Sequence, residues 1–142
     1  MPTAREVMHA GVTCVKENQM VADAAKMMRD LHIGAVPVCG TDDRLQGIVT
    51  DRDIAVRCVA EGLDPQSTPA GRLAQGPLVW IEAEADVREG LRLMEDNKIR
   101  RLPVMDQKRL VGIIAEADIV THLPEQEVEE FSYSVYSAPP NS

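Results

Sequence analysis

Aromatic residues are nearly missing from this chain: one Trp, one Phe and two Tyr make up 3% of its 142 residues. Core volume must therefore come from Val, Ile, Leu, Ala and seven Met, and a hydrophobic content of 44% supplies it. No apolar run nears the roughly 20 residues that a membrane-spanning helix needs. The stretch Met1-Pro2-Thr3-Ala4-Arg5-Glu6 lacks the apolar core of a signal peptide, so a soluble cytoplasmic protein is expected. Positive charge is also short. Fifteen Lys and Arg against 23 Asp and Glu leave a net charge of −8, the opposite of the basic face with which proteins meet nucleic acid. A small anionic ligand is still permitted, because a few local arginines decide that.

Catalytic signatures are absent as well. The sequence has no nucleophile–base pair, no phosphate loop of the GxxxxGKS type and no metal-ligand cluster, and His9, His32 and His122 share no ligand spacing. A non-enzymatic protein is expected. Cysteine is scarce: Cys14, Cys39 and Cys58 are an odd number without metal-motif spacing and read first as small buried hydrophobes. Cys14 and Cys39 fall in two predicted strands, so a disulfide is open to them if those strands are neighbours.

What the sequence does contain is a duplication. From Ala4 and from Ala70 the chain reads in parallel without a gap as far as Cys39 and Met105, with Val21 on Val87, Met28 on Met94 and Pro37-Val38 on Pro103-Val104. One residue is then lost from a turn. Leu45-x-Gly47-Ile48 resumes on Leu110-x-Gly112-Ile113, and Asp53-Ile54 on Asp118-Ile119. Such a repeat predicts two half-domains about a pseudo-twofold axis with a cleft between them.

Each copy reads as β-α-β-β-α. Thr13-Cys14-Val15 and Val79-Trp80-Ile81 are short predicted strands. Val21, Ala24, Ala25 and Met28, like Val87, Gly90, Leu91 and Met94, have helical spacing. Asp86 with Glu89 suggests a capping box on the second of these helices, and Gln19 or Met20 gives the first a weaker start. Gly34 to Val38 pairs as a hairpin with Leu45 to Thr50, and Arg101 to Val104 with Leu110 to Ala115. Helices start near Asp51 and Glu116, the first stopping at Gly62. The predicted division is a first repeat over 4–63, a linker over 64–69, a second repeat over 70–123, and a C-terminal helix with a disordered tail over 124–142.

These residues resemble the cystathionine β-synthase (CBS) domain. The marks are an apolar-Pro-Val strand followed by Gly-x-x-Thr-x-x-Asp, here Gly47-Ile48-Val49-Thr50-Asp51-Arg52-Asp53, and the two aligned copies resemble a Bateman module. The resemblance implies an α+β fold of tandem repeats, a homodimer joined through helical faces, and an adenosine-containing ligand such as AMP, ADP or ATP between the repeats. Apolar positions including Met27, Met28, Leu91, Leu93 and Met94 are the expected dimer surplus.

In such a site Asp53 would accept hydrogen bonds from both ribose hydroxyls. Thr50 would offer a hydroxyl beside free helix N-terminal amides where a phosphate can lie. By resemblance, the backbone at Val36 would read the adenine edge, and Arg100 and Arg101 would hold phosphates with their planar forks. The second copy keeps Asp118 for a ribose but has Ala115 where the first has Thr50, and Glu116 where the first has Asp51, so asymmetric use of two sites is expected. Thr-x-x-Asp is equally a helix-capping pattern, and the two arginines can equally be a solvated pair. The functional expectation is a regulatory module that responds to an adenylate. No output domain accompanies the pair, so the signal is expected to pass to a separate protein partner or to stop at stabilising this one. The alternative is a ligand-independent, stress-related scaffold or interaction module on the same fold.

Overall fold

The structure is a computed structural model and describes residues 2–74 and 78–123. Two β-α-β-β-α bodies are present, as the sequence predicts. In the first, β2 (Val15–Lys16) leads through α2 (Val21–Leu31) to β3 (Ala35–Cys39), which turns into β4 (Leu45–Thr50) and then α3 (Asp51–Asp53). In the second, β5 (Ile81–Glu82), α4 (Val87–Asn97), β6 (Arg101–Asp106), β7 (Arg109–Ala115) and α5 (Glu116–Val120) repeat the order. Each helix joins two parallel strands, and each hairpin closes antiparallel, with Pro37 opposite Ile48 and Pro103 opposite Ile113.

The first strands begin later than the sequence suggests. Pairing starts at Val15 against Val38 and at Ile81 against Val104, so Thr13-Cys14 and Val79-Trp80 lie before the ladders rather than in them. Asp86 caps α4 as expected, but its carboxylate accepts from Arg88 N at 2.9 Å, the second amide of the helix rather than that of Glu89. At α2 the weak start is supported from inside: Asp23 Oδ2 accepts from Met20 N at 3.2 Å. The expected helix beyond Pro124 and the expected disordered tail lie outside the described residues.

The compact units do not follow the sequence repeats. Among the described residues one unit takes 2–12 with 79–123, and the other takes 13–74 with Leu78. The arm before the first repeat, α1 (Ala4–Val7) and β1 (His9–Ala10), is built into the body of the second. Ala4 N donates to Ala85 O and Arg5 N to Ala83 O, both at 2.9 Å, and β1 pairs antiparallel with β7. Arg5 also meets Glu84 and Asp106, which between them raise the guanidinium pKa above its usual value, the Glu84 hydrogen bond foremost. The arm before the second repeat, a 3-10 turn over Ala70–Arg72, is likewise built into the first body. Ala70 N donates to Gln19 O at 2.7 Å and Gly71 N to Glu17 O at 3.0 Å.

Each unit has its own core, and each core takes the same two positions from its arm. Ala4 and Val7 pack with Ile81, Met94, Leu102 and Ile119, whereas Ala70 and Leu73 pack with Val21, Met28, Val36 and Cys58. Met28, Leu91 and Met94, expected as dimer surplus, are thereby absorbed into cores, and Met27 and Leu93 pack against the same clusters. With so few aromatics, each body needs these methionines for volume. Among the described residues, the large apolar side chains left exposed are instead Val56, Val59, Leu78 and Trp80.

Two of the three cysteines depart from the buried-hydrophobe reading. Cys14 and Cys39 are joined in a disulfide with their Cα atoms 5.6 Å apart, and only Cys58 is free and buried. The second body has Trp80 and Met105 at these places and keeps the same backbone frame: Ala83 N donates to Met105 O at 2.8 Å as Glu17 N does to Cys39 O at 2.7 Å. The disulfide is therefore an added tie, not a condition of the fold.

Two expectations follow. A Cβ at Gly112 would come within 2.6 Å of Met8 Sδ and 2.7 Å of His9 O, whereas one at Gly47 meets Ala74 O at 3.3 Å. Gly112→Ala should cost about 1–3 kcal/mol in denaturant unfolding and expose the amides of residues 4–10 to exchange, with Gly47→Ala milder. The disulfide closes a loop of sequence separation 25, so Cys14→Ser should lower stability by about 3 kcal/mol in oxidising buffer and change nothing once reductant is present.

Candidate functional site

The strand-to-helix junction at the end of β4 gathers the polar groups the motif predicts. Thr50 is the N-cap of α3, and its Oγ1 accepts from Asp53 N at 3.0 Å while Asp53 Oδ2 accepts from Thr50 N at 2.9 Å. The capping box is closed, and it fixes the direction of both side chains. Thr50 is 6% exposed, and the Asp53 side chain 12%. Neither group is exhausted by the cap. The hydroxyl, accepting from an amide, keeps its proton to donate, and the carboxylate retains lone pairs on Oδ1.

Val36 lies on β3 next to this junction, since Ala35 pairs with Thr50 and Val36 with Val49. β2 pairs with β3 only at Val38 and Cys39, so the Ala35–Pro37 stretch has one backbone edge without a strand partner among the described residues. Pro37, which has no N–H to give a ladder, suits that edge. A planar ligand can be read by backbone there.

After Asp53 the helix widens into a π-helical stretch, Ile54–Val59, seen in the bonds Ala60 N to Ala55 O and Leu63 N to Cys58 O, both 2.9 Å. Such wide turns recur at functional sites. Cys58 points into the core and Val56 and Val59 point out. Arg57 lies between, its Nη1 donating to Leu73 O at 3.0 Å and standing 3.7 Å from Asp53 Oδ1. Arg57 was not singled out from sequence, although its i, i+4 spacing from Asp53 was a readable signal.

The second copy has the same backbone and different chemistry. Ala115 (φ −108°, ψ 162°) holds the conformation of Thr50 (φ −105°, ψ 163°), and Glu116 N donates to Arg100 O as Asp51 N does to Gly34 O, both at 2.9 Å. Asp118 Oδ2 accepts from Ala115 N at 2.7 Å, but alanine returns nothing, so the box is half closed. Arg101 pairs across the hairpin with Ala115, where the first copy sets Ala35 opposite Thr50. Of the residues singled out from sequence, Val36, Thr50 and Asp53 thus fall in one compact unit and Arg100, Arg101 and Asp118 in the other.

Comparison with known proteins agrees with this geometry. The CBS domain family profile matches residues 4–59 and 70–125, and the chain belongs to that family as a pair of CBS domains. It is 48% identical over 137 residues to hypoxic response protein 1 of Mycobacterium tuberculosis, covering 96% of both chains. It is 37% identical over 122 residues, 86% of each chain, to the CBS domain-containing protein YhcV of Bacillus subtilis. Among solved structures, Hypoxic Response Protein I with two coordinated zinc ions superposes with a TM-score of 0.75 at 50% identity, covering 87% of this chain and 100% of that one. A hexameric CBS-CP12 protein from bloom-forming cyanobacteria gives a TM-score of 0.75 at 33% identity, covering 84% of this chain and 70% of that one. No helix among the described residues is long and apolar enough to cross a membrane.

The half-closed box generates a test. Ala115→Thr, on a backbone already in the capping conformation, should stabilise the protein by about 0.5–1 kcal/mol, and Thr50→Ala should destabilise it by about 1 kcal/mol, both read from denaturant midpoints.

Proposed function

We propose that this CBS pair is a regulatory module that binds an adenosine-containing ligand of the AMP, ADP or ATP class. Asp53 accepts the ribose hydroxyls, Thr50 donates to a phosphate oxygen, and the free backbone edge of Ala35 and Pro37, on either side of Val36, reads the base. Family resemblance assigns Arg100 and Arg101 to phosphate and makes Asp118 the ribose acceptor of the weaker copy. The observation that carries this reading is Asp53: a largely buried carboxylate, fixed by Thr50 N, with Oδ1 still able to accept, on the helix that Thr50 caps opposite Ala35 of the unpaired strand edge. Ligand binding acts by linkage, favouring the arrangement it binds more tightly by that difference alone.

Hypoxic Response Protein I was solved with two coordinated zinc ions. Among the described residues no three His, Cys, Asp or Glu side chains gather to hold a metal ion, and Cys14 and Cys39 are spent on each other. A homodimer is part of the proposal, now resting on Val56 (44% exposed) and Val59 (62% exposed) rather than on the methionines. Similarity to a hypoxic response protein supports a stress setting. A cytoplasmic setting is part of the proposal, and the Cys14–Cys39 disulfide is the feature unusual there.

Thermal unfolding with AMP, ADP, ATP, NAD and S-adenosylmethionine tests the reading. A ligand at about 100 times its Kd adds roughly 2.7 kcal/mol, a midpoint rise of about 5–10 °C for a chain of this size. The rise should be specific to one adenylate and vanish in Asp53→Ala. Because that variant also loses a cap, only the ligand-induced difference counts. No shift with any ligand would favour the ligand-independent scaffold.

A further inference from the structure

We propose that Arg57 is a positioning residue that couples the Asp53 carboxylate to the docking of the Ala70–Ala74 arm, so that filling the Asp53 site tightens that arm. This rests on the adenylate reading of Asp53. One guanidinium faces two partners of different kinds. Its Nη1 is 3.7 Å from Asp53 Oδ1, the oxygen the capping box leaves available, and 3.0 Å from the carbonyl of Leu73, with the Arg57 side chain 36% exposed.

Leu73 anchors the arm: it is 2% exposed and sits in the core beside Ala70, Val21 and Cys58. The arm is closely fitted. A Cβ on Gly71 would meet Glu17 Cβ at 2.9 Å and Glu17 O at 3.1 Å, so small movements of the arm are resisted by backbone. The arm also precedes the point where the chain leaves this unit, Leu78 being its last residue. When ribose hydroxyls bond to Oδ1 the carboxylate loses its remaining freedom. The guanidinium held by it is then steadied on the Leu73 carbonyl.

The second copy is wired differently. At the position equivalent to Arg57 stands His122, whose Nδ1 lies 2.9 Å from the Asp118 carbonyl of its own helix and 2.9 Å from Thr121 Oγ1. Coupling of carboxylate to arm is thus a property of the first copy, which is also the copy with the closed capping box.

Amide hydrogen exchange on the full chain, with and without millimolar AMP and with calorimetry alongside, tests this. In the wild type, AMP should slow exchange at Ala70, Gly71 and Leu73 by roughly tenfold. That protection should be lost in Arg57→Gln and partly restored in Arg57→Lys, while amides of residues 87–97 report that each variant is folded. If AMP binds and the arm amides do not respond, or if Arg57→Gln keeps the response, the coupling is refuted. If calorimetry shows no AMP binding, the adenylate reading fails, and the ligand-free proteins decide the link. Asp53→Asn keeps the capping oxygen but loses the charge facing Arg57. Faster exchange at residues 70–73 in that variant supports the link, and unchanged exchange overturns it.

Discussion

One carboxylate, Asp53, carries most of what is specific to this molecule. It closes a helix cap with Thr50, faces Arg57 and, through that arginine, is tied to the carbonyl of Leu73 on an arm from the other sequence repeat. Capping and ligand binding do not compete for the same electron pairs, because the cap uses Oδ2 and the outward side of Oδ1 remains. In the proposed site the cap would hold the acceptor in place before any ligand arrives, leaving little ordering entropy to be lost on binding. On the proposed reading, loss of Asp53 would have two consequences, and function would be separable from stability only through ligand-induced change.

The duplication shows what the fold demands and what it leaves open. Both copies keep the same junction dihedrals, the same strand-to-junction bond from Gly34 O or Arg100 O, and the same two core positions filled by an arm. Around that frame, Thr50 becomes Ala115, Ala35 becomes Arg101, Arg57 becomes His122, and the Cys14–Cys39 pair becomes Trp80 and Met105. The first three fall at the junction and the helix that follows it, whereas the disulfide lies at the other end of the hairpin, where Cys39 pairs with Leu45. Equivalent backbones with unequal side chains make two unequal junctions, one with a closed cap and an arginine between Asp53 and the Leu73 carbonyl, the other with a half-open cap and a cross-strand arginine.

Much of this was legible in the sequence because it is local. Helical spacing placed Val21 to Met28 and Val87 to Met94, the turn residues placed both hairpins, and Thr-x-x-Asp placed the junction. The exchange of arms was not legible. Ala4 and Val7 present the same apolar pair whichever body they join, and only a tight approach such as that of Met8 and His9 to Gly112 selects the partner. The first strands were placed too early because a two-residue ladder is set by its neighbour, not by its own β-branched content. Two helices end in left-handed His32 and Lys98, where glycine would have been the readable stop. The role of the methionines shifted from interface to core because their burial depends on arms whose destination the sequence does not announce.

The most direct test of the account is a backbone amide NMR titration of the full chain with AMP. Saturable shifts centred on Val36, Thr50 and Asp53, with the matching junction at Ala115 and Asp118 responding more weakly, are the expected result. A spectrum unchanged at those amides up to millimolar AMP would contradict the account and leave the CBS pair as a ligand-independent scaffold.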